Sequence, residues 1–152
     1  MTAKKFNIKN YTTDVPAERS IGEIEKLLAL FGATAIMKEL SSDGGIDVLC
    51  FRLEKQTFKL PANVKGVKAT LFEGKKDYGR EALIRSREAK AYRVAWRIIK
   101  DWIHAQLSLI ASGQAHPHEI FLPYMFDGKQ TLYQAYMEGK LLTQGKKAKG
   151  EK

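Results

Sequence analysis

Lys90, Arg93, Arg97 and Lys100 stand three and four residues apart, in a stretch without proline or glycine from Arg80 to Ser112. On a helix of 3.6 residues per turn that spacing lines four cations along one edge, neighbours about 5–6 Å apart. A rigid row of this kind can meet successive phosphates of a nucleic-acid backbone without reading its bases. Arg80, Arg85 and Arg87 precede the row, and Lys75 and Lys76 lie just before them. The candidate nucleic-acid-binding residues are therefore Lys75, Lys76, Arg80, Arg85, Arg87, Lys90, Arg93, Arg97 and Lys100. Glu81 with Arg85 and Arg97 with Asp101 are spaced as i,i+4 pairs, so a solvated, self-neutralised helix edge is the competing reading.

Other chemistry is sparse. The chain has no phosphate-binding glycine loop, no nucleophile elbow and no H-E-x-x-H. A single cysteine, Cys50, rules out an internal disulfide and a cysteine-based zinc site. It lies in an apolar, strand-like run and reads as a buried, inert thiol. His116 and His118 flank Pro117, with His104 a little upstream. The proline is expected to hold the two rings on divergent sides, and no carboxylate is spaced to orient them, so they read as surface histidines with no metal. Asp43, Asp47, Asp77 and Glu81 are scattered, whereas a metal-dependent nuclease needs three or more ligands converging in one cleft. The expectation is a non-enzymatic protein without cofactor or metal.

These residues need elements to carry them. Asp14 and Pro16 open a helix whose apolar face is Ile21, Ile24, Leu27, Leu28 and Phe31, stopped at Gly32. Residues 34–41 and 46–54 read as strands joined through Ser42-Asp43-Gly44-Gly45, and Lys55-Gln56 turns into a third strand, 57–60, ended by Pro61. A short helix is expected over 61–72, started at Pro61. The polar break 73–79 is the candidate hinge. A long helix runs from about Arg80 to Ser112, ended by Gly113. A shorter one follows His116-Pro117 and is kinked or ended by Pro123; another covers 131–138. Outside its cationic stripe the long helix is apolar over more than half its girth, so Trp96 and Trp102 read as core. The C-terminal helices should cover one side of it, and the sheet or a second copy of the chain the other, leaving room for a homo-oligomer. The fold class expected is α+β: an N-terminal helix on a three-stranded antiparallel sheet, then a helical C-terminal half around one long central helix. Residues 1–140 are expected to form a single domain and 141–152 a disordered basic tail.

The chain carries a net charge of +9, and residues 61–100 alone hold 11 basic and four acidic side chains. Clustered positive charge favours a polyanionic partner. No apolar run approaches the roughly 18–20 residues of a membrane span, and the first residues lack the apolar stretch of a secretory signal. A cytoplasmic protein with no membrane partner is expected.

Three blocks carry a family resemblance: YTTDVPAERSIGEIEKLLALFGATAIM at 11–37, FKLPANV at 58–64, and RVAWRIIKDWIHAQLSLIASG with EIFLPYMFDGKQTLYQAY at 93–136. Together they resemble a family of small phage and prophage proteins, whose genes lie near phage replication and recombination functions. The resemblance implies a bacterial host cytoplasm, DNA rather than RNA as the nucleic acid, and a phage or host replication or recombination protein as a further partner. It transfers no site residue. The α-β-β-β-α order also loosely resembles a double-stranded RNA-binding domain, with Lys65, Lys68, Lys75 and Lys76 near that fold's basic helix start. The AWR-IKDW region has no place in that fold. A protein-interaction module, inhibiting or recruiting a host factor, is the rival from another class.

Overall fold

The computed structural model describes residues 6–139. The basic tail lies outside the described residues. The elements run α1 (Ala17–Leu30), β1 (Ala35–Leu40), β2 (Ile46–Leu53), β3 (Gln56–Pro61), α2 (Val64–Leu71), α3 (Glu81–Ala111), α4 (Pro117–Phe121), a 3-10 turn (Leu122–Tyr124) and α5 (Leu132–Met137). The class is α+β, with the helix, antiparallel sheet and long central helix in the expected order. The chain makes two compact units. One joins the described residues up to Leu28 with Ala62–Gln106; the other joins Ala29–Pro61 with the residues from Leu107 onward.

In the first unit Ile21, Ile24 and Leu28 fall on one face of α1 and are buried, because their spacing repeats the helical turn. On the part of α3 that belongs to this unit the buried positions are Ala91, Val94, Ala95, Trp96 and Ile103. Trp96 is fully enclosed, as its setting predicts, while Trp102 is only half-buried. α2 starts at Val64 rather than at Pro61, which instead closes β3. The reason is a better cap: the Asn63 side chain accepts the Gly66 N–H at 2.9 Å. Gly66 leaves room for that cap, since a Cβ there would come within 2.9 Å of the Asn63 amide. α3 ends in a Schellman arrangement. Gly113 takes φ 77°, its N–H reaches Ile110 O, and the Gln114 N–H reaches Leu109 O at 2.9 Å.

In the second unit the sheet order is β1-β2-β3, all antiparallel. β2 is central, and Val48, Leu49, Cys50 and Phe51 are buried in succession, so both faces of that strand are covered. Cys50 is 2% exposed; loss of hydration, with the Glu39 charge, pushes its thiol up and keeps it protonated and inert. Phe51, Phe58 and Phe121 form an aromatic core, with ring centroids 5.3–5.7 Å apart. The β2–β3 turn is Glu54-Lys55, one residue earlier than the sequence suggests. Leu53 pairs with Gln56, and a two-residue loop of this twist puts both turn residues at positive φ, 47° and 71°. The free edge of β3 is partly covered: the Phe126 N–H donates to Thr57 O at 2.8 Å, and Lys59 lies over the Phe126 ring.

Candidate nucleic-acid interface

α3 carries most of the predicted cations, but they do not form one row. Arg85 is five residues before Lys90, which turns it about 140° around the axis. The cations then divide by what surrounds them.

Arg97 and Lys100 belong to a network. Glu23, from α1, receives the Arg97 guanidinium at 2.8 Å, Arg19 at 3.3 Å and the Lys100 ammonium at 3.7 Å. Asp101 accepts Lys9 at 3.3 Å, the Asn10 amide at 2.9 Å and Lys100 at 3.5 Å. Arg97 therefore pairs across to α1 and not with Asp101, its i,i+4 neighbour. Four cations, Lys9, Arg19, Arg97 and Lys100, share two carboxylates, so the network keeps an excess of positive charge. Partial burial pushes the Glu23 carboxyl up, but Arg97, Arg19 and Lys100 outweigh it and hold the group below its ordinary range. At Asp101 desolvation likewise opposes, and Asn10, Lys9 and Lys100 prevail.

These lowered carboxyls have a pH consequence. Each contributes stability that is present above the unfolded carboxyl range, from about pH 5 upward, and is lost as pH falls through the folded value. Urea unfolding followed from pH 7 to acid, each about one unit apart, should show the midpoint fall, with a shallower acid limb for Glu23→Gln. Because both groups are partly solvated, the difference is modest. Identical pH profiles for the two proteins would remove Glu23 from this role.

Arg87 is also engaged. Its guanidinium donates to the Asp77 carboxylate at 2.7 Å and to the Lys76 carbonyl at 3.2 Å, and stacks 4.9 Å from the Phe72 ring. Lys68 adds bonds to Asp77 and Glu88. The segment 73–79 is thus tied to α3 through Arg87, whose side chain is only 13% exposed. It is a clamp, not a free cation.

Lys75, Lys76, Arg80 and Arg85 are exposed, and their side chains make no ion pair among the described residues. Glu81 and Arg85, spaced as an i,i+4 pair in the competing reading, form no salt bridge with each other. Lys90 is half-buried and makes no ion pair among the described residues. Arg93 is half-buried: its Nε is sealed from solvent and meets no acceptor among the described residues, and the residue lines an open cavity of about 550 Å³ with Asp14, Glu18 and Tyr92. The sequence reading missed Lys9, Asn10 and Arg19. Arg19 was detectable as the i−4 neighbour of Glu23; the pairing of Lys9 and Asn10 with a residue about ninety positions away had no local signal.

His116 and His118 also differ from expectation. The rings are not divergent but stacked, with centroids 5.1 Å apart and planes inclined by 18°. Pro117 is the first residue of α4 and His116 its N-cap, so the His116 ring folds back over the helix start and its Nδ1 accepts the His118 N–H at 3.2 Å. A carboxylate is present after all: Glu54 Oε2 lies 3.6 Å from His118 Nδ1.

Among the described residues no helix is long and apolar enough to cross a membrane. Comparison with protein-family models, with curated proteins and with solved structures finds no match to this chain.

Proposed function

We propose that the chain is a non-enzymatic nucleic-acid-binding accessory protein that grips the phosphate backbone, DNA in preference to RNA, without reading sequence. The supporting observation is the distribution of cations in the first unit: an exposed quartet, Lys75, Lys76, Arg80 and Arg85, with no ion pair among the described residues, and a network in which four cations share Glu23 and Asp101. An excess of fixed positive charge attracts polyanions at long range, and release of their counterions supplies the free energy. Arg97 and Lys100 hold their positions through carboxylates and add field more than direct contact. Lys90 and Arg93, half-buried like Arg97 and Lys100, contribute less than the exposed four. The three sequence blocks that resemble phage and prophage proteins support a role in phage DNA replication or recombination in the host cytoplasm.

Fluorescence anisotropy with labelled single-stranded DNA, duplex DNA and RNA tests this reading. Binding is expected at about 50 mM salt, with log K falling linearly in log salt by about 0.9 per phosphate neutralised on duplex DNA. No binding at that salt, or binding indifferent to salt, rejects it.

A second reading has its own observation. Tyr133, Tyr136 and Met137 fall on one face of α5 and are 56%, 49% and 64% exposed. Exposed aromatic side chains grouped on one face suit a protein partner or a second copy of the chain. Trp96, fully enclosed, can take no part in such a surface. Retention of a protein partner after nuclease treatment, with no oligonucleotide binding, would favour this second reading.

A further inference from the structure

In the second unit a glutamate and two histidines from different elements converge. Glu54 is the first residue of the β2–β3 turn; His116 caps α4 and His118 lies in its first turn. One ligand atom from each lies within 4.8 Å of the other two. The His118 ring also makes an edge contact with the Phe58 ring, 6.1 Å between centroids, and stacks on the His116 ring. Two imidazoles and one carboxylate are a nitrogen and oxygen set suited to a borderline divalent ion such as zinc. We propose that Glu54, His116 and His118 form a three-ligand binding site for a zinc-class divalent cation, with water in the fourth position.

The geometry is open but close to what the ion needs. Tetrahedral ligands at about 2.0–2.2 Å from zinc stand about 3.3–3.5 Å from one another. The three groups must therefore draw in by up to about 1.5 Å, which rotation of the exposed Glu54 side chain supplies on the carboxylate side and rotation of the exposed His116 ring on the imidazole side. The histidines bring a constraint of their own. A ligating ring nitrogen must be unprotonated, and in His116 that nitrogen is Nδ1, which now accepts the His118 N–H. An ion at Nδ1 displaces that N–H directly. An ion at Nε2 sends the Nε2 proton to Nδ1, which then no longer accepts. In both cases binding releases the His116 half of the α4 capping box, so the ion ties the β2–β3 turn to α4 while freeing the His118 amide. This site is independent of the cationic surface and of its reading as a nucleic-acid interface.

The test is a calorimetric titration of the untagged full chain with Zn²⁺, with Co²⁺ absorption reporting ligand number. One saturable ion per chain is expected, weakened by about tenfold or more in His116→Ala, His118→Ala and Glu54→Gln, and unchanged in His104→Ala. The His118 amide resonance should shift on saturation, which an ion held elsewhere does not cause. Circular dichroism establishes that each variant is folded; if His118→Ala is not, Glu54→Gln, in an exposed turn, decides. Absence of saturable binding by the intact chain, equal affinity in Glu54→Gln, or an unmoved His118 amide overturns the proposal.

Discussion

Changing Lys75, Lys76, Arg80 and Arg85 together to glutamine is expected to abolish oligonucleotide binding near physiological salt while leaving the fold intact. These side chains are exposed and unpaired among the described residues, so their removal deletes no ion pair and opens no cavity. Surface changes of this kind alter stability by about 0.5 kcal/mol or less. The effect on a polyanion is large because each lost phosphate contact takes one counterion release with it. Four lost contacts make the slope of log K against log salt shallower by about 3–4, and lower affinity at about 100 mM salt by two orders of magnitude or more. Arg97→Gln offers the contrast. It removes one cation but also strips Glu23 of its shortest partner, at 2.8 Å. Its cost should fall on stability, with a smaller change in salt slope. Anisotropy titrations over several salt concentrations, paired with urea unfolding, measure both quantities for both proteins. If the quartet variant binds with an unaltered slope, those four side chains are not at the interface.

The contrast between the quartet and Arg97 marks where the sequence was informative and where it was silent. Helical periodicity at Ile21, Ile24 and Leu28, the polar loop before Ile46, and the unbroken run from Arg80 to Ser112 are local signals, and each produced its element. Boundaries moved where two local signals competed. Pro61 both ends a strand and can begin a helix, and the Asn63 cap decided the matter by starting α2 at Val64. The turn moved to Glu54-Lys55 because strand pairing fixes Leu53 against Gln56, a constraint that belongs to the sheet and not to the turn residues. The cationic stripe was legible as a pattern, but the state of each cation was not. Whether Arg97 faces water or a carboxylate depends on Glu23, seventy-four residues earlier. In sequence Glu23 is only an acidic residue in the first half of a helix. The approach of Glu54 to His118 is likewise long-range, and the sequence treats those histidines as solitary because their carboxylate arrives from a hairpin turn.

Trp96→Ala is expected to be among the most destabilising single changes in the first unit. Trp96 is fully enclosed, and its neighbours in sequence Val94 and Ala95 are buried as well. Truncation removes the apolar area that an indole withdraws from water, about 150–250 Å², and leaves a hole that a rigid helix cannot collapse to fill. Large-to-small changes of this type cost about 3–5 kcal/mol, a large share of the roughly 5–15 kcal/mol by which a domain is stable. Trp102, half-buried, should lose distinctly less on the same truncation, because water already reaches part of its ring. The two variants thus test the arrangement in which α3 turns one indole fully inward and leaves the other at the margin. Urea unfolding monitored by circular dichroism gives both free energies without depending on either tryptophan as the probe. Equal losses at the two positions, or a loss below about 1 kcal/mol at Trp96, would contradict an enclosed site, since an indole that water can reach leaves little cavity behind.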